Sequence, residues 1–168
     1  MLKPKIFTTE QQDVEGNLIF RPQNVRLIQL DIETGETKQT LYQNIITDLY
    51  LDLLKDAALS SAFDPEIKYF AWGSGTTAAA IGDVKLETEI GRKQITSVLD
   101  LGLGQWKTII YLGPSEAVGQ IEEVAWFAGP DASASADSGL CVSRVLISKL
   151  KTALESFQVE RTDTVGRV

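Results

Sequence analysis

Few residues of this chain are of a type that performs catalysis. The 168 residues include no histidine and one cysteine, Cys141. Histidine is the commonest general base near neutral pH and the commonest metal ligand, and without it a nucleophile would need a lysine or carboxylate as its base. No spacing marks such a pair, and Cys141 lies in an apolar run that is typical of a buried thiol. We therefore predict a protein that is not an enzyme, with no catalytic residues and no cofactor.

Two glycine-rich loops resemble phosphate-binding loops only superficially. Residues 73–77 read Gly-Ser-Gly-Thr-Thr and follow an apolar strand pattern, whereas residues 102–104 read Gly-Leu-Gly. A phosphate loop of this kind needs a lysine and a helix whose N-terminus faces the anion, and neither loop is followed by both. We interpret both loops as structural turns.

Paired carboxylates could indicate acid–base chemistry or a metal site. In a strand, Glu122 and Glu123 would point to opposite faces, so they could not share a ligand. Glu87 and Glu89 would share a face, but two carboxylates fall far short of the roughly 6–8 oxygens that Ca²⁺ takes. We expect a solvated face at these two residues and predict no metal site.

Three tryptophans could form platforms for sugars or bases. Trp72, Trp106 and Trp126 each lie in a strand-like run. Aromatic side chains in such runs more often belong to a core than to a binding platform. Core packing is our prediction, and a carbohydrate-binding surface is the alternative.

The net charge of −7 argues against nucleic-acid binding, because phosphate contacts require clustered lysine and arginine. The basic residues form separated pairs, such as Arg92 with Lys93. No run approaches the ~20 apolar residues of a membrane helix, and the first residues lack the apolar core of a secretion signal. A lone cysteine is typical of a protein made in a reducing cytosol. We therefore expect no nucleic-acid partner and no membrane association.

The elements that would position these residues are mostly strands. Residues 25–32 and 37–42 flank a turn with Gly35, which predicts a hairpin. Thr47 can cap a helix whose apolar face includes Leu49, Tyr50 and Leu53. Further strands are predicted at residues 67–72, 92–99, 105–112, 119–127, 140–148 and 155–164, with 92–99 and 105–112 forming a hairpin about residues 100–104.

One helix among about eight strands is too few for parallel crossovers. Short strands separated by glycine and proline favour a mainly β fold, a β-sandwich or jelly-roll-like domain with one amphipathic helix. Residues 1–24 show no regular period and predict an extended N-terminal arm, which leaves residues 25–168 as the body.

The predicted arm carries scattered apolar and basic residues that suit an assembly interface. These residues could dock on a neighbour or fold back on the chain's own body, and the sequence leaves both open. The candidate interface residues are Lys3, Lys5, Phe7, Ile19, Phe20 and Arg21.

Several stretches together resemble a family of virion structural proteins of tailed bacteriophages. The first runs from Tyr69 through the Gly-x-Gly-Thr-Thr loop to Ala80 and continues with Asp83, Leu86, Glu87-Thr88-Glu89 and Arg92. The others are residues 119–127, 142–151 and 155–164, with residues 30–36, Asn44 and the helix upstream. The resemblance spans about residues 25–164 and omits the arm.

The resemblance implies a virion subunit with a β-sandwich body and no catalysis. A capsid decoration (cement) protein, which binds and stabilises the head shell, fits a compact body with an anchoring arm. A tail, neck, baseplate or fibre subunit is the alternative within the virion, although the chain shows neither heptads nor a Gly-x-y repeat for a shaft. A carbohydrate-binding β-sandwich module is the alternative from another class.

Partners and location follow from the same resemblance. We expect other virion proteins as partners, the major capsid protein first, and a small symmetric homo-oligomer with a trimer as the leading prediction. The expected location is the outer surface of the particle, after synthesis in the host cytoplasm.

Overall fold

A computed structural model describes the backbone of residues 18–21 and 24–167 and the side chains of residues 25–165. The described backbone forms eleven strands and one helix. In chain order they are β1 (Leu18–Arg21), β2 (Asn24–Asp31), β3 (Thr37–Gln43), β4 (Ile45–Ile46), α1 (Asp48–Leu59), β5 (Ile67–Gly73), β6 (Glu89–Gln94), β7 (Ser97–Gly102), β8 (Gln105–Leu112), β9 (Gly119–Ala128), β10 (Leu140–Lys151) and β11 (Glu155–Arg167).

The strands form two antiparallel sheets, which confirms the predicted mainly β fold and is consistent with a sandwich. Sheet A has the order β3-β2-β11-β8-β7, and β1 also pairs with β11. Sheet B has the order β4-β10-β9-β5-β6. The jelly-roll connection pattern stays a prediction.

The main core lies between the inner faces of the two sheets. Alternate residues of each strand face inward, as the two-residue period of strands requires. Sheet A supplies Val25, Leu27 and Phe157, and sheet B supplies Phe70 and Trp126, all at most 2% exposed. Phe70 and Trp126 meet edge to face with ring centroids 5.3 Å apart, a geometry that aromatic pairs favour.

Helix α1 begins where the sequence predicts. Thr47 is its N-cap, and the Thr47 hydroxyl accepts a hydrogen bond from the Tyr50 backbone N–H. Tyr50 and Leu53 are the buried residues of the helix, which contacts β10 of sheet B. The predicted amphipathic helix is confirmed.

The hairpin between β2 and β3 is also confirmed. Its turn contains Gly35 at φ 72°, a backbone conformation that favours glycine. The Asp31 side chain accepts hydrogen bonds from the Glu33 and Thr34 backbone N–H groups, which closes the turn.

The prediction of one strand over residues 92–99 is wrong. This segment forms the end of β6 in sheet B and the start of β7 in sheet A. Two successive amides make the switch, since the Ile95 N–H bonds to the Lys68 carbonyl on β5 and the Thr96 N–H bonds to the Ile109 carbonyl on β8. The hairpin with residues 105–112 exists, but it begins only at Ser97.

Candidate functional site

The candidate assembly residues of the arm lie at the start of the described chain or before it. Lys3, Lys5 and Phe7 lie outside the described residues. Ile19, Phe20 and Arg21 belong to β1, whose backbone pairs with Gly166, Val165 and Thr164 of β11. Residues 18–21 of the predicted arm are therefore part of sheet A, and the arm–body boundary at residue 24 stays a prediction.

The segment between β5 and β6, which begins with the Gly-x-Gly-Thr-Thr loop, covers the centre of the outer face of sheet B. A second small core lies there, in which Leu86 of this segment packs with Ala71, Ala125, Phe127 and Cys141. The centre of sheet B is thus buried on both faces, by sheet A on the inner side and by this segment on the outer side.

Both glycines of this loop are required by close packing. A Cβ atom at Gly73 would lie 2.3 Å from the Thr88 carbonyl oxygen, and a Cβ at Gly75 would lie 2.3 Å from the Glu87 Cβ. The glycines therefore let the loop approach Glu123 and the chain just before β6.

The side chain of Glu123, on β9, holds the loop against sheet B. Its carboxylate has no exposed surface and accepts hydrogen bonds from the backbone N–H groups of Gly75 at 2.9 Å, Glu87 at 3.1 Å and Thr88 at 2.8 Å. It also accepts from the Arg144 Nε at 2.6 Å. One buried carboxylate thus satisfies donors from both ends of the loop.

Arg144, on β10, binds the middle of the same loop. Its guanidinium donates to the Thr77 carbonyl at 2.9 Å and forms an ion pair with Asp83 at 3.2 Å. Only 2% of its side chain is exposed. The pKa of Arg144 is raised: burial acts to lower it, but the hydrogen bonds and charges of Glu123 and Asp83 outweigh that effect.

The backbone N–H groups of this segment therefore donate to acceptors within the protein. The Gly75 and Thr88 N–H groups donate to Glu123, and the Thr77 N–H donates to Glu87. A phosphate cradle would need such amides directed at a ligand. The geometry supports the structural interpretation of this loop. No local sequence pattern marks Glu123, because its partners come from segments far away along the chain.

A second ion pair corrects the expectation of a solvated face at Glu89. The Glu89 side chain is 4% exposed and pairs with Arg92, which is 3% exposed, at 2.6 Å. Arg92 also donates to the Ser133 and Ser138 carbonyls, and its guanidinium lies 4.5 Å from the centre of the Phe127 ring. These contacts attach the small-residue loop after β9 to sheet B. The Glu87 side chain, by contrast, is 41% exposed.

An ionic group inside the sandwich was missed by the sequence interpretation. Arg161 and Asp163 of β11 are at most 1% exposed and pair at 2.6 Å, and the Arg161 guanidinium lies 5.5 Å from the Trp126 ring centre. Burial raises the pKa of Asp163 despite the nearby charge of Arg161. The period of two that places Phe157 and Val159 inside also places these two residues inside, and that pattern could have revealed them.

The three tryptophans differ in how deeply they are buried. Trp126 has no exposed surface, which confirms core packing there. Trp72 is half-buried against the main core, and its ring fills the space beside Gly91. Trp106 is half-buried on β8. Cys141 is buried as predicted, and burial raises the pKa of its thiol to about 12.

Sheet A leaves its outer face open. We call this surface the open face and define it by Arg26, Leu41, Leu99, Lys107 and Tyr111. Arg26, Lys107 and Tyr111 alternate with core residues of β2 and β8, and Leu41 and Leu99 lie opposite Arg26 and Lys107 on the neighbouring strands. Leu41 is 61% exposed, Leu99 45% and Tyr111 44%. On sheet B, Ile90 of β6 and Leu150 of β10 are also exposed, but the segment between β5 and β6 covers the centre of the outer face.

Within the described part of the chain, no helix is long and apolar enough to cross a membrane, and no group of three or more acidic, cysteine or histidine side chains is placed to hold a metal ion. The described geometry offers an exposed face of sheet A. No protein-family model, curated protein or solved structure matches this chain.

Proposed function

We propose that this chain is a structural protein of a tailed-bacteriophage virion, and that it acts as a capsid decoration protein on the outer surface of the head shell. The resemblance of its loop, helix and strand motifs supports the virion assignment. Its partners in this proposal are the major capsid protein and further copies of itself.

The observation that carries the proposal is the difference between the two sheets. The centre of sheet B is buried on both sides, whereas the open face of sheet A presents Leu41, Leu99 and Tyr111 to solvent. Exposed apolar residues on one face of a sheet are typical of protein–protein contact sites. Arg26 and Lys107 lie among them, beside Leu41 and Leu99 respectively.

The position of β1 adds to this argument. Leu18 lies opposite Arg167 at the end of sheet A, so residues 1–17 continue from the sheet that carries the open face. In the proposal, Lys3, Lys5 and Phe7 anchor the arm on the shell while the open face rests on it. Many such weak contacts over a repeated lattice would sum to stable attachment.

The test is to mix the purified protein with particles stripped of it and to image them by cryo-electron microscopy. Density repeated over the icosahedral shell is the expected result. Density only at the tail or its vertex would make the protein a tail or neck subunit, and an absence of density would contradict a virion role.

A pair of matched variants tests which surface binds. Leu41→Lys places a charge on the open face, and we expect weaker particle binding. Ile81→Lys changes a residue of similar exposure on the loop over sheet B, 60% against 61%, and should bind as the wild type does. Equal loss in both variants would argue against the open face.

A further inference from the structure

The edges of the two sheets differ in how they are protected from pairing with other strands. Exposed edge strands readily add a further strand unless they are short or charged. Sheet B ends at β4, which has two residues, and at β6, which carries Glu89, Arg92 and Lys93. Sheet A ends on one side at β3, which carries Lys38 and mostly polar residues.

The other edge of sheet A lacks this protection. All six residues of β7 (Ser97–Gly102) are exposed. Three are apolar, namely Val98, Leu99 and Leu101, with 55%, 45% and 45% exposure. Asp100 is the only charged residue of the strand. An irregularity in register falls after Asp100, so the stretch from Ser97 to Asp100 stays regular.

We propose that β7 pairs antiparallel with β7 of a second copy of this chain, about a two-fold axis perpendicular to sheet A. Opposite residues in such a pair share a face, so the axis must pass midway between the two copies of one residue, which lie opposite each other. Centred on Leu99, the register places Val98 opposite Asp100 and Ser97 opposite Leu101. Centred on Asp100, it would place two carboxylates opposite each other, which is destabilising.

The charges around this edge favour a second copy as the occupant. Asp100 is the one charged residue of β7, and Lys107, which lies opposite Leu99, is the one charged residue on the stretch of β8 that pairs with β7. These two charges have opposite sign, so the edge carries no net charge of its own. Two β7 edges can therefore approach without strong repulsion, although the chain as a whole has a net charge of −7.

The pairing extends sheet A across the two copies and places their open faces side by side. The proposed pairing follows from the properties of the edge strands and does not rest on the proposed virion function. A two-fold pair also differs from the trimer that the family resemblance implies, so a mass measurement distinguishes them.

Cysteine cross-linking tests the register directly. In the proposed dimer the two Leu99 Cα atoms lie about 4.5–5.5 Å apart, within the range that a disulfide spans. The two Val98 Cα atoms lie roughly 8 Å apart, beyond that range. Under mild oxidation, Leu99→Cys should form a covalent dimer, and Val98→Cys and Asp100→Cys should not. Cys141 is buried, so the wild type serves as the unlinked control.

Sedimentation at increasing protein concentration tests the interface without cross-linking. We expect a wild-type dimer and loss of that dimer in Leu99→Lys, which places two ammonium groups opposite each other. Ile90→Lys is the control: it replaces an apolar residue that is 59% exposed on the edge strand β6 of sheet B, and it should keep the dimer. Circular dichroism checks that both variants fold. A wild-type monomer, a trimer without Leu99→Cys cross-links, or equal cross-linking at residues 98 and 99 would overturn the proposal.

Discussion

At the scale of single residues, Glu123 holds the loop over sheet B to strands β9 and β10. Its buried carboxylate accepts N–H groups of Gly75, Glu87 and Thr88 and pairs with Arg144. Removing one partner of a buried ion pair leaves the other charge without compensation. The stability of the loop over sheet B therefore depends on this side chain.

We expect Glu123→Gln to lower the free energy of unfolding by about 3–5 kcal/mol. The amide would take from Arg144 its fully buried anion, leaving only the more exposed Asp83 and Glu87 as ion-pair partners, and would direct an NH₂ group toward backbone donors. Urea denaturation at neutral pH measures the change.

The neighbouring residue provides the control. The Glu122 carboxylate accepts only an exposed hydrogen bond from Gln120, and Glu122→Gln should change stability by less than about 0.5 kcal/mol. Similar losses in both variants would show that Glu123 does not anchor the loop.

The stability of the protein should depend on pH through the surface carboxylate of Glu116. The ion-paired hydrogen bond from Lys93, with help from the Gly113 N–H, lowers the pKa of Glu116 below its ordinary value of 4.5. Between the two pKa values the unfolded chain takes up a proton that the folded chain does not. The stabilisation from Glu116 is thus present above about pH 4.5 and is lost as the pH falls through the folded pKa.

We expect the free energy of unfolding of Glu116→Gln to decrease less than that of the wild type when the pH is lowered below 4.5. Lys93→Met should show a similarly reduced decrease, since it deletes the partner that lowers the pKa. Denaturation curves over the acid range measure both variants. An unchanged acid dependence in Glu116→Gln would contradict the prediction.

At the scale of elements, the glycine loop between β5 and β6 is held by packing as well as hydrogen bonds. A Cβ at Gly75 would lie 2.5 Å from the Glu123 Oε1 as well as close to Glu87. At Gly82, in the same segment, no described heavy atom would lie within 4 Å of an added Cβ. The two glycines therefore make a matched pair.

We expect Gly75→Ala to destabilise the protein by about 1–3 kcal/mol, as overpacking does in a filled site. Gly82→Ala should leave stability unchanged or raise it slightly, because alanine reduces the entropy of the unfolded chain. Thermal unfolding measures stability, and amide hydrogen exchange should rise at residues 74–88 only in Gly75→Ala. Equal effects at the two positions would refute the packing argument.

At the scale of the whole molecule, the pairing of β1 with β11 divides the predicted arm. Residues 18–21 contribute a strand to sheet A, whereas residues 1–17 lie outside the described chain. Deletions that end at residue 17 and at residue 24 therefore separate attachment from folding.

Deleting residues 1–17 should abolish binding to stripped particles and leave thermal stability unchanged. Deleting residues 1–24 should also abolish binding, while the body folds with lower stability because β11 loses the β1 ladder. Particle co-sedimentation and thermal unfolding measure the two properties. Full binding by the shorter deletion would show that the arm is not the anchor.

The sequence by itself determined the elements whose signals are local. The Gly35 turn, the Thr47 cap and the strand patterns of residues 25–32 and 155–164 each depend on residues a few positions apart, and the structure confirms all three. The coarse fold followed from these elements, because many strands with one helix can bury their apolar faces only as packed sheets.

Only the tertiary structure decided which distant segments meet. The Glu123 partners Arg144 and Gly75 lie 21 and 48 residues away, so no local pattern marked Glu123 as an anchor. The change of sheet at Ile95 and Thr96 likewise depends on acceptors from β5 and β8. Apolar alternation specifies which face of a strand is buried but not which strand lies beside it, and that choice is made by packing and hydrogen bonding across the whole molecule.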